Sequence, residues 1–478
     1  MSMIKAYRIE NYQKWLLVGF SLVVSSLFLY AEWRSPQTHE YKKHCGHAWL
    51  IQGFKFYNDG VSSQVRNGGE ISEKEFLLSY TQQPSNTFSK ASVYDPIAFS
   101  VFISWLWRLC GAPSMLYLKL LSMLFFIVST LGLVRILEFF LCNKQKAFFA
   151  TLGVLAYVPL GFHVIENVRD VYHYYFFILF LYALCSFISE KRTYFFIIIS
   201  ALLCSLCQWI RPPLFSSVVV LTGLAFLWAL FEEKYKKKIF YFLLLFWSVN
   251  IITFWIPFCV FNKHVYGEYF VSPRGEALLS GMYGITLPDG DFVEHTTGHF
   301  ILRKTGHFMR CGSLESDDIC MDWFKTYLKK YPLHYFKCMI KRISYMLWYD
   351  MPWRRSNPFA ITQETSRWFK LQLACSSPAL FFEFFIRIYL RILLFMGYIG
   401  ILFAFFKKEY QLLTWLVVGV MFSSGYSWLF HIEDRVVAVH AWPLGIFAFY
   451  GLCSAYEYVY KKIRSSEWKK NDRQISVV

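Results

Sequence analysis

The residues with the clearest capacity for chemistry are acids and arginines that stand at the ends of long apolar runs. Glu40 lies after the first run; Glu166, Arg169 and Asp170 follow the third; Arg211 follows the fifth; His431, Glu433, Asp434 and Arg435 follow the ninth. A carboxylate held at a water-accessible boundary can take a proton, and a guanidinium can grip a phosphate through two parallel hydrogen bonds. Taken singly, each such residue has an ordinary explanation, since ionisable side chains at span ends snorkel to the interface. Their convergence on one face points instead to a site that handles a phosphate-bearing lipid.

The elements that must position these residues follow from composition. Of 478 residues, 56% are apolar, 21% aromatic and 17% charged, too few charges to cover a soluble domain of that apolar content. Mean hydropathy is positive, and several runs reach the length needed to cross ~30 Å of hydrocarbon. The runs are continuous, which excludes the alternating strands of an outer-membrane barrel. The fold class expected is therefore an all-α integral membrane protein of about ten transmembrane helices, with interfacial helices and two long outer loops.

The expected spans are Trp15–Ala31, Met115–Val134, Phe148–Val164, Tyr172–Ile188, Tyr194–Ile210, Leu214–Leu230, Phe240–Cys259, Ile386–Phe405, Leu412–Phe430 and Val436–Tyr456. The shorter run Ile97–Trp107 reads as an interfacial or re-entrant helix. The formal charge of +17 reflects topology rather than nucleic acid: Lys and Arg concentrate in short loops held in the cytoplasm, and anionic headgroups attract the rest. Lys5, Arg8 and Lys14 place the N-terminus inside, and the segments 143–146, 190–192, 232–238, 407–409 and the tail then all fall on the cytoplasmic side. The resulting organisation is a cytoplasmic N-terminus and first helix over 1–31, a first outer loop over 32–114, helices two to seven over 115–260, a large outer loop over 261–379, helices eight to ten over 380–456 and a basic cytoplasmic tail over 457–478.

Of the twelve Cys, Cys142, Cys185, Cys204, Cys207, Cys259 and Cys453 fall in or beside apolar runs, where Cys behaves as a small hydrophobe; Cys311 and Cys320 are either a short disulfide loop or two thiols. His295, His299 and His307 with Glu294 raise a divalent metal, which the intervening Thr-Thr-Gly disfavours by breaking the helix that i,i+4 histidines need. No metal ligand set and no cofactor is assigned. The run from Tyr172 to Phe177 reads as an interfacial aromatic belt, with stacking on a sugar as the alternative.

The order of several short motifs resembles the polyprenyl-phosphate-sugar-dependent glycosyltransferases of GT-C fold, the superfamily of protein O-mannosyltransferases and the lipid A aminoarabinose transferase. They are Glu40 eight residues before Ala48-Trp49-Leu50, then Gly53; Gln208-Trp209-Ile210-Arg211-Pro212-Pro213; Arg274-Gly275-Glu276; the stretch from Trp323 through Lys341-Arg342 to Trp348; and His431-Ile432-Glu433-Asp434-Arg435. The pattern departs from the family at Val436, where a Tyr is usual, and at His39-Glu40, where an Asp-led acidic pair is usual.

The resemblance implies a membrane glycosyltransferase that moves a sugar from a polyprenyl-phosphate donor to a hydroxyl of a glycan, lipid or protein acceptor. Glu40 would be the general base, with Glu166 and Asp170 as further catalytic acids. Arg211, Arg274, Arg435, Lys341 and Arg342 would hold the departing phosphate, and Arg169, Glu276, His431 and Glu433 would contact acceptor or sugar. One base without a covalent intermediate gives inversion. The implied setting is a bacterial inner membrane with a periplasmic site, though an endoplasmic reticulum membrane fits the same arithmetic. The competing classes are a flippase or transporter of lipid-linked sugars and an O-antigen ligase or polymerase.

Overall fold

The computed structural model describes residues 11–34, 97–111, 115–165, 171–189, 194–211, 214–266, 269, 314–333, 335–337, 339–340, 378–422 and 440–475. Among them there is no strand, and the chain is a helical bundle. Its helices are α1 (Asn11–Arg34), α2 (Ile97–Cys110), α3 (Met115–Leu141), α4 (Lys144–Ala156), α5 (Val158–Ile165), α6 (Tyr172–Ser189), α7 (Tyr194–Ile210), α8 (Leu214–Phe231), α9 (Lys236–Asn250), α10 (Ile256–Tyr266), α11 (Leu314–Lys330), α12 (Pro378–Phe406), α13 (Tyr410–Leu413) and α14 (Pro443–Ile475). Two π-helical segments complete them: Ile251–Trp255 joins α9 to α10, and Thr414–Phe422 continues α13.

Four stretches are long and apolar enough to cross a membrane: Leu116–Leu141, Tyr172–Ser189, Lys236–Lys263 and Phe384–Phe406. Their outward faces are apolar as well. On α12 the exposed residues Phe381, Phe385, Ile388, Ile392 and Phe395 recur at the spacing of one helix face, while Leu390, Leu393 and Leu394 turn inward. On α3 the exposed face is Leu116, Leu120, Leu124 and Val128. A bundle bathed in water would carry polar residues on those stripes; an apolar outside suits lipid.

The centre of the bundle is α6. Fifteen of its eighteen residues are buried, as expected of a helix that is apolar all round. This corrects the reading of Tyr172–Phe177 as an interfacial belt. Tyr172, Tyr174, Tyr175, Phe176 and Phe177 are all buried, because α2, α3 and the start of α14 cover them. Phe99 and Phe102 sit edge-on to Tyr172, Phe125 to Tyr175, and Tyr174 to Trp442.

Helix directions follow from which residues meet. Ser122 meets Tyr175 and Gly132 meets Ile178, so α3 and α6 run parallel. Gly397 meets Leu444 and Gly400 meets Phe447, so α12 and α14 are also parallel. Lys146 pairs with Glu457 at 2.8 Å and Gly153 lies on Gly445, so α4 runs opposite to α14. The α4–α14–α12 seam is closed by glycine: a Cβ on Gly153 would run into the Gly445 carbonyl, and one on Gly400 into the Phe447 carbonyl. Close backbone approach of this kind supplies the packing that drives helix association where no hydrophobic force acts between helices.

These pairings collect the basic segments at one end. The turn at Cys142–Lys144 (φ +49° at Cys142), the Lys407–Glu409 turn (φ +59° at Lys408) and Glu457 meet there. So do Lys238, whose Nζ donates to the Ile188 carbonyl at 2.8 Å, and the ring cluster Phe139, Trp228, Tyr235 and Trp415. The expected cytoplasmic loop at 190–192 lies outside the described residues. Cys142, beside the apolar run of α3, is exposed, because it forms the left-handed turn before Asn143 caps α4.

Candidate functional site

Eleven of the twelve expected site residues, Glu40, Glu166, Arg169, Asp170, Arg274, Glu276, Lys341, Arg342, His431, Glu433 and Arg435, lie outside the described residues, as do His295, His299, His307 and Cys311. Arg211 is described, and its surroundings define the candidate site.

Arg211 sits at the C-terminal end of α7. Its N–H donates to the Cys207 carbonyl at 2.8 Å, and its own carbonyl accepts from the Leu214 N–H at 3.0 Å, which bridges the turn into α8. The local sequence accounts for this. Pro212 and Pro213 bring no N–H to continue α7, and the position before a proline is pushed away from helical geometry. The chain therefore reverses at Arg211 and leaves the residue only 6% exposed. Burying a guanidinium costs several kcal/mol unless acceptors or a negative group take up its charge.

The helix that carries Arg211 is tied down by a polar seam against α9 and the π segment. Gln208 donates through Nε2 to the Asn250 Oδ1 at 2.6 Å, Trp209 Nε1 donates to the Thr253 carbonyl at 2.9 Å, and the Thr253 hydroxyl donates to Ser205 Oγ at 2.8 Å. Three bonds from one helical turn to one facing turn fix both register and rotation of α7. Each interhelical bond in an apolar interior is worth about 0.6 kcal/mol on average. The Trp209 ring adds edge contacts to Phe254 and Phe258.

Arg211 lies at the end of the bundle opposite the basic loops. One turn earlier, the Cys207 thiol is near enough to the Tyr172 hydroxyl to interact electrostatically, and Tyr172 begins α6. The far end of α6, about 24 Å away at 1.5 Å per residue, is where Lys238 meets Ile188. Three polar features share the Arg211 end. His173 and His440 pack edge to face with ring centroids 4.7 Å apart, both buried. The Tyr175 hydroxyl donates to the Ser122 carbonyl at 2.7 Å and meets the Ser122 hydroxyl at 2.9 Å. Lys119, one turn before Ser122, is buried at 9% exposure.

Lys119, Asn250 and His440 did not stand out in the sequence, where each is a lone polar residue inside an apolar run. The signal that could have found them is their cost: an ionisable or amide group at membrane depth persists only where it faces a partner or a site. Among the described residues no group of three or more His, Cys, Asp or Glu is arranged to hold a metal. The chemical capacity of this end is thus two buried cations, Arg211 and Lys119, beside imidazoles and tyrosine hydroxyls that donate hydrogen bonds. Neither a protein-family model, nor a curated protein, nor a solved structure matches the chain.

Proposed function

We propose that the chain is a membrane glycosyltransferase that moves a sugar from a polyprenyl-phosphate donor to an acceptor hydroxyl by inverting displacement, at the membrane face away from the cytoplasm. In this reading the chain crosses ten times, the basic end faces the cytoplasm, and residues 32–114 and 261–379 lie on the other side, periplasmic in a bacterial inner membrane. Glu40 takes the acceptor proton, with Glu166 and Asp170 beside it. Arg211 holds the phosphate with Arg274, Arg435, Lys341 and Arg342, and Arg169, Glu276, His431 and Glu433 meet acceptor or sugar. The single observation that supports the reading most is the placement of Arg211: a buried guanidinium, registered by three side-chain bonds, at the end opposite the positive loops. Lys119 at the same end adds a second cation.

The experiment is donor use by purified Arg211→Lys. A lysine keeps the charge and loses the bidentate fork, so transfer from a labelled polyprenyl-phosphate sugar should fall at least about tenfold at normal yield of folded protein. Wild-type donor dependence in that variant removes Arg211 from the site.

A second reading, a flippase of lipid-linked sugars, is favoured by one feature: the π segments Ile251–Trp255 and Thr414–Phe422 interrupt apolar helices, as broken helices do in transporters. Transfer without flipping in proteoliposomes supports the enzyme; flipping without transfer supports the carrier.

A further inference from the structure

The longest helix of the bundle is longer than a membrane requires. Helix α14 runs without a break for 33 residues, Pro443–Ile475, or about 50 Å, whereas ~20 residues suffice to cross. Its first half is locked in the bundle through Gly445, Phe447 and Gly451, and the Lys146–Glu457 pair marks the level of the basic loops. The basic tail expected from 457 begins within this helix, which continues to Ile475.

At that level the surface of α14 changes. Tyr456, Tyr458, Val459, Tyr460 and Ile463 are each more than half exposed. At 100° per residue they cover an arc of about 200°, so just over half of the helix surface here faces away from its neighbours. The Tyr456 and Tyr460 rings stack at 6.1 Å. Next in sequence come Lys461, Lys462 and Arg464, and after a further turn Lys469 and Lys470. Tyrosines followed by cations are the arrangement that suits the headgroup layer, the rings lying at the interface and the charges beyond it.

We propose that the emerging turn of α14 is a binding surface for anionic phospholipid headgroups, with Tyr456, Tyr458 and Tyr460 as its interfacial collar and Lys461, Lys462 and Arg464 as the headgroup ligands. Charge complementarity selects this occupant: residues 457–475 hold six Lys or Arg against three Asp or Glu, and the lysines of the neighbouring loops 143–146, 232–238 and 407–409 stand at the same end. A second copy of the chain is a poorer fit, because Arg464–Gln474 carries one apolar residue, Trp468, and no heptad seam. The straightness of the helix makes the proposal graded. Lys469 and Lys470 stand about 12 Å farther along the axis than Lys461 and Lys462, beyond a Debye length of ~8 Å at physiological salt, so the near cluster binds lipid and the far pair contributes little.

The test uses the full chain in nanodiscs of equimolar phosphatidylglycerol and phosphatidylcholine, with co-purifying lipids counted by native mass spectrometry. Wild-type protein should retain phosphatidylglycerol in several-fold excess. The triple variant Lys461→Gln, Lys462→Gln, Arg464→Gln should bring the two lipids to about equal retention, since each basic residue near the surface is worth roughly fivefold. Replacing Lys461 and Lys462 by Arg should preserve it, and Lys469→Gln with Lys470→Gln should leave it within about twofold. Unchanged enrichment in a folded triple variant overturns the proposal. Equal losses from the near and far variants overturn it too, as does a lipid-independent dimer lost with the near cluster, which would give the surface to a second copy. If the triple variant fails to fold, the single variant Lys462→Gln decides: a several-fold loss of enrichment supports the proposal, and unchanged enrichment overturns it.

Discussion

Gly445→Ala should destabilise the protein, although alanine is the better helix former. The propensity term favours the substitution by about 1 kcal/mol in a helix interior. Against it stands geometry: the new methyl would meet the carbonyl of Gly153 and come within 3.3 Å of the Tyr157 Cβ. Neither obstacle is the loose end of a side chain, so α4 and α14 must separate. Overpacking costs about 1–3 kcal/mol in well-packed cores, and here separation also strains the Gly400–Phe447 contact on the other side of α14. The net expectation is a loss of about 1–2 kcal/mol or more. Gly223→Ala in α8 is the matched control. It meets nothing within 4 Å, leaving only the propensity gain of up to about 1 kcal/mol. Thermal and denaturant unfolding of both variants in the same detergent should separate them by roughly 2–3 kcal/mol. Equal stabilities would refute the close-packed glycine seam and with it the helix directions drawn from it.

Three further expectations are independent of that seam. Gln208→Leu or Asn250→Leu should each cost about 1–2 kcal/mol by stranding the partner amide, and the double variant less than their sum; strict additivity in a double-mutant cycle would dissolve the pair. Burial pushes the Glu409 carboxyl above its ordinary 4.5, while Lys146 and the Tyr450 hydroxyl pull it back. The folded chain therefore holds that proton more tightly than the unfolded one, and stability from this group falls as pH rises from 4.5 through the raised value. Melting temperatures of wild type and Glu409→Gln should differ with pH in that window, wild type losing ground as pH rises; a pH-independent difference counts against the burial. Impermeant thiol labelling of single-cysteine reporters in spheroplasts should reach Asp317→Cys and spare Lys236→Cys, and the reverse pattern would invert the topology.

What the sequence made legible was set by repetition of a strong signal. Runs such as Tyr172–Ile188 and Tyr194–Ile210 have helices at nearly the expected limits, α6 and α7, because continuous apolarity and the Pro212-Pro213 stop are local features. The helix α4 starts at Lys144, four residues before the expected Phe148, because the Asn143 side chain caps it, accepting from the Lys146 N–H at 3.0 Å. The burial of Tyr172–Phe177 was not legible, because ring composition is the same for a belt facing headgroups and a core facing other rings; only Phe99, Trp442 and His440, distant in the chain, decide it. The extension of α14 past Glu457 was missed for a related reason, since a polar, charged stretch reads as a tail unless the helix before it continues. Of the site, Arg211 was visible because Arg-Pro-Pro is conspicuous after an apolar run. Lys119 was hidden by the apolar residues on both sides of it.

The central claim is that a carboxylate of the first outer loop drives sugar transfer from a lipid phosphate, and Glu40→Gln tests it most directly. The amide keeps the shape of the side chain and cannot accept the acceptor's proton. With purified full-length protein and a labelled polyprenyl-phosphate sugar, the variant should bind donor as wild type does and turn over roughly 10²-fold more slowly or worse. Near-normal transfer by Glu40→Gln, beside an inactive Asp170→Asn, would place the base elsewhere. Absence of transfer by the wild-type chain from any polyprenyl-phosphate sugar would contradict the account as a whole.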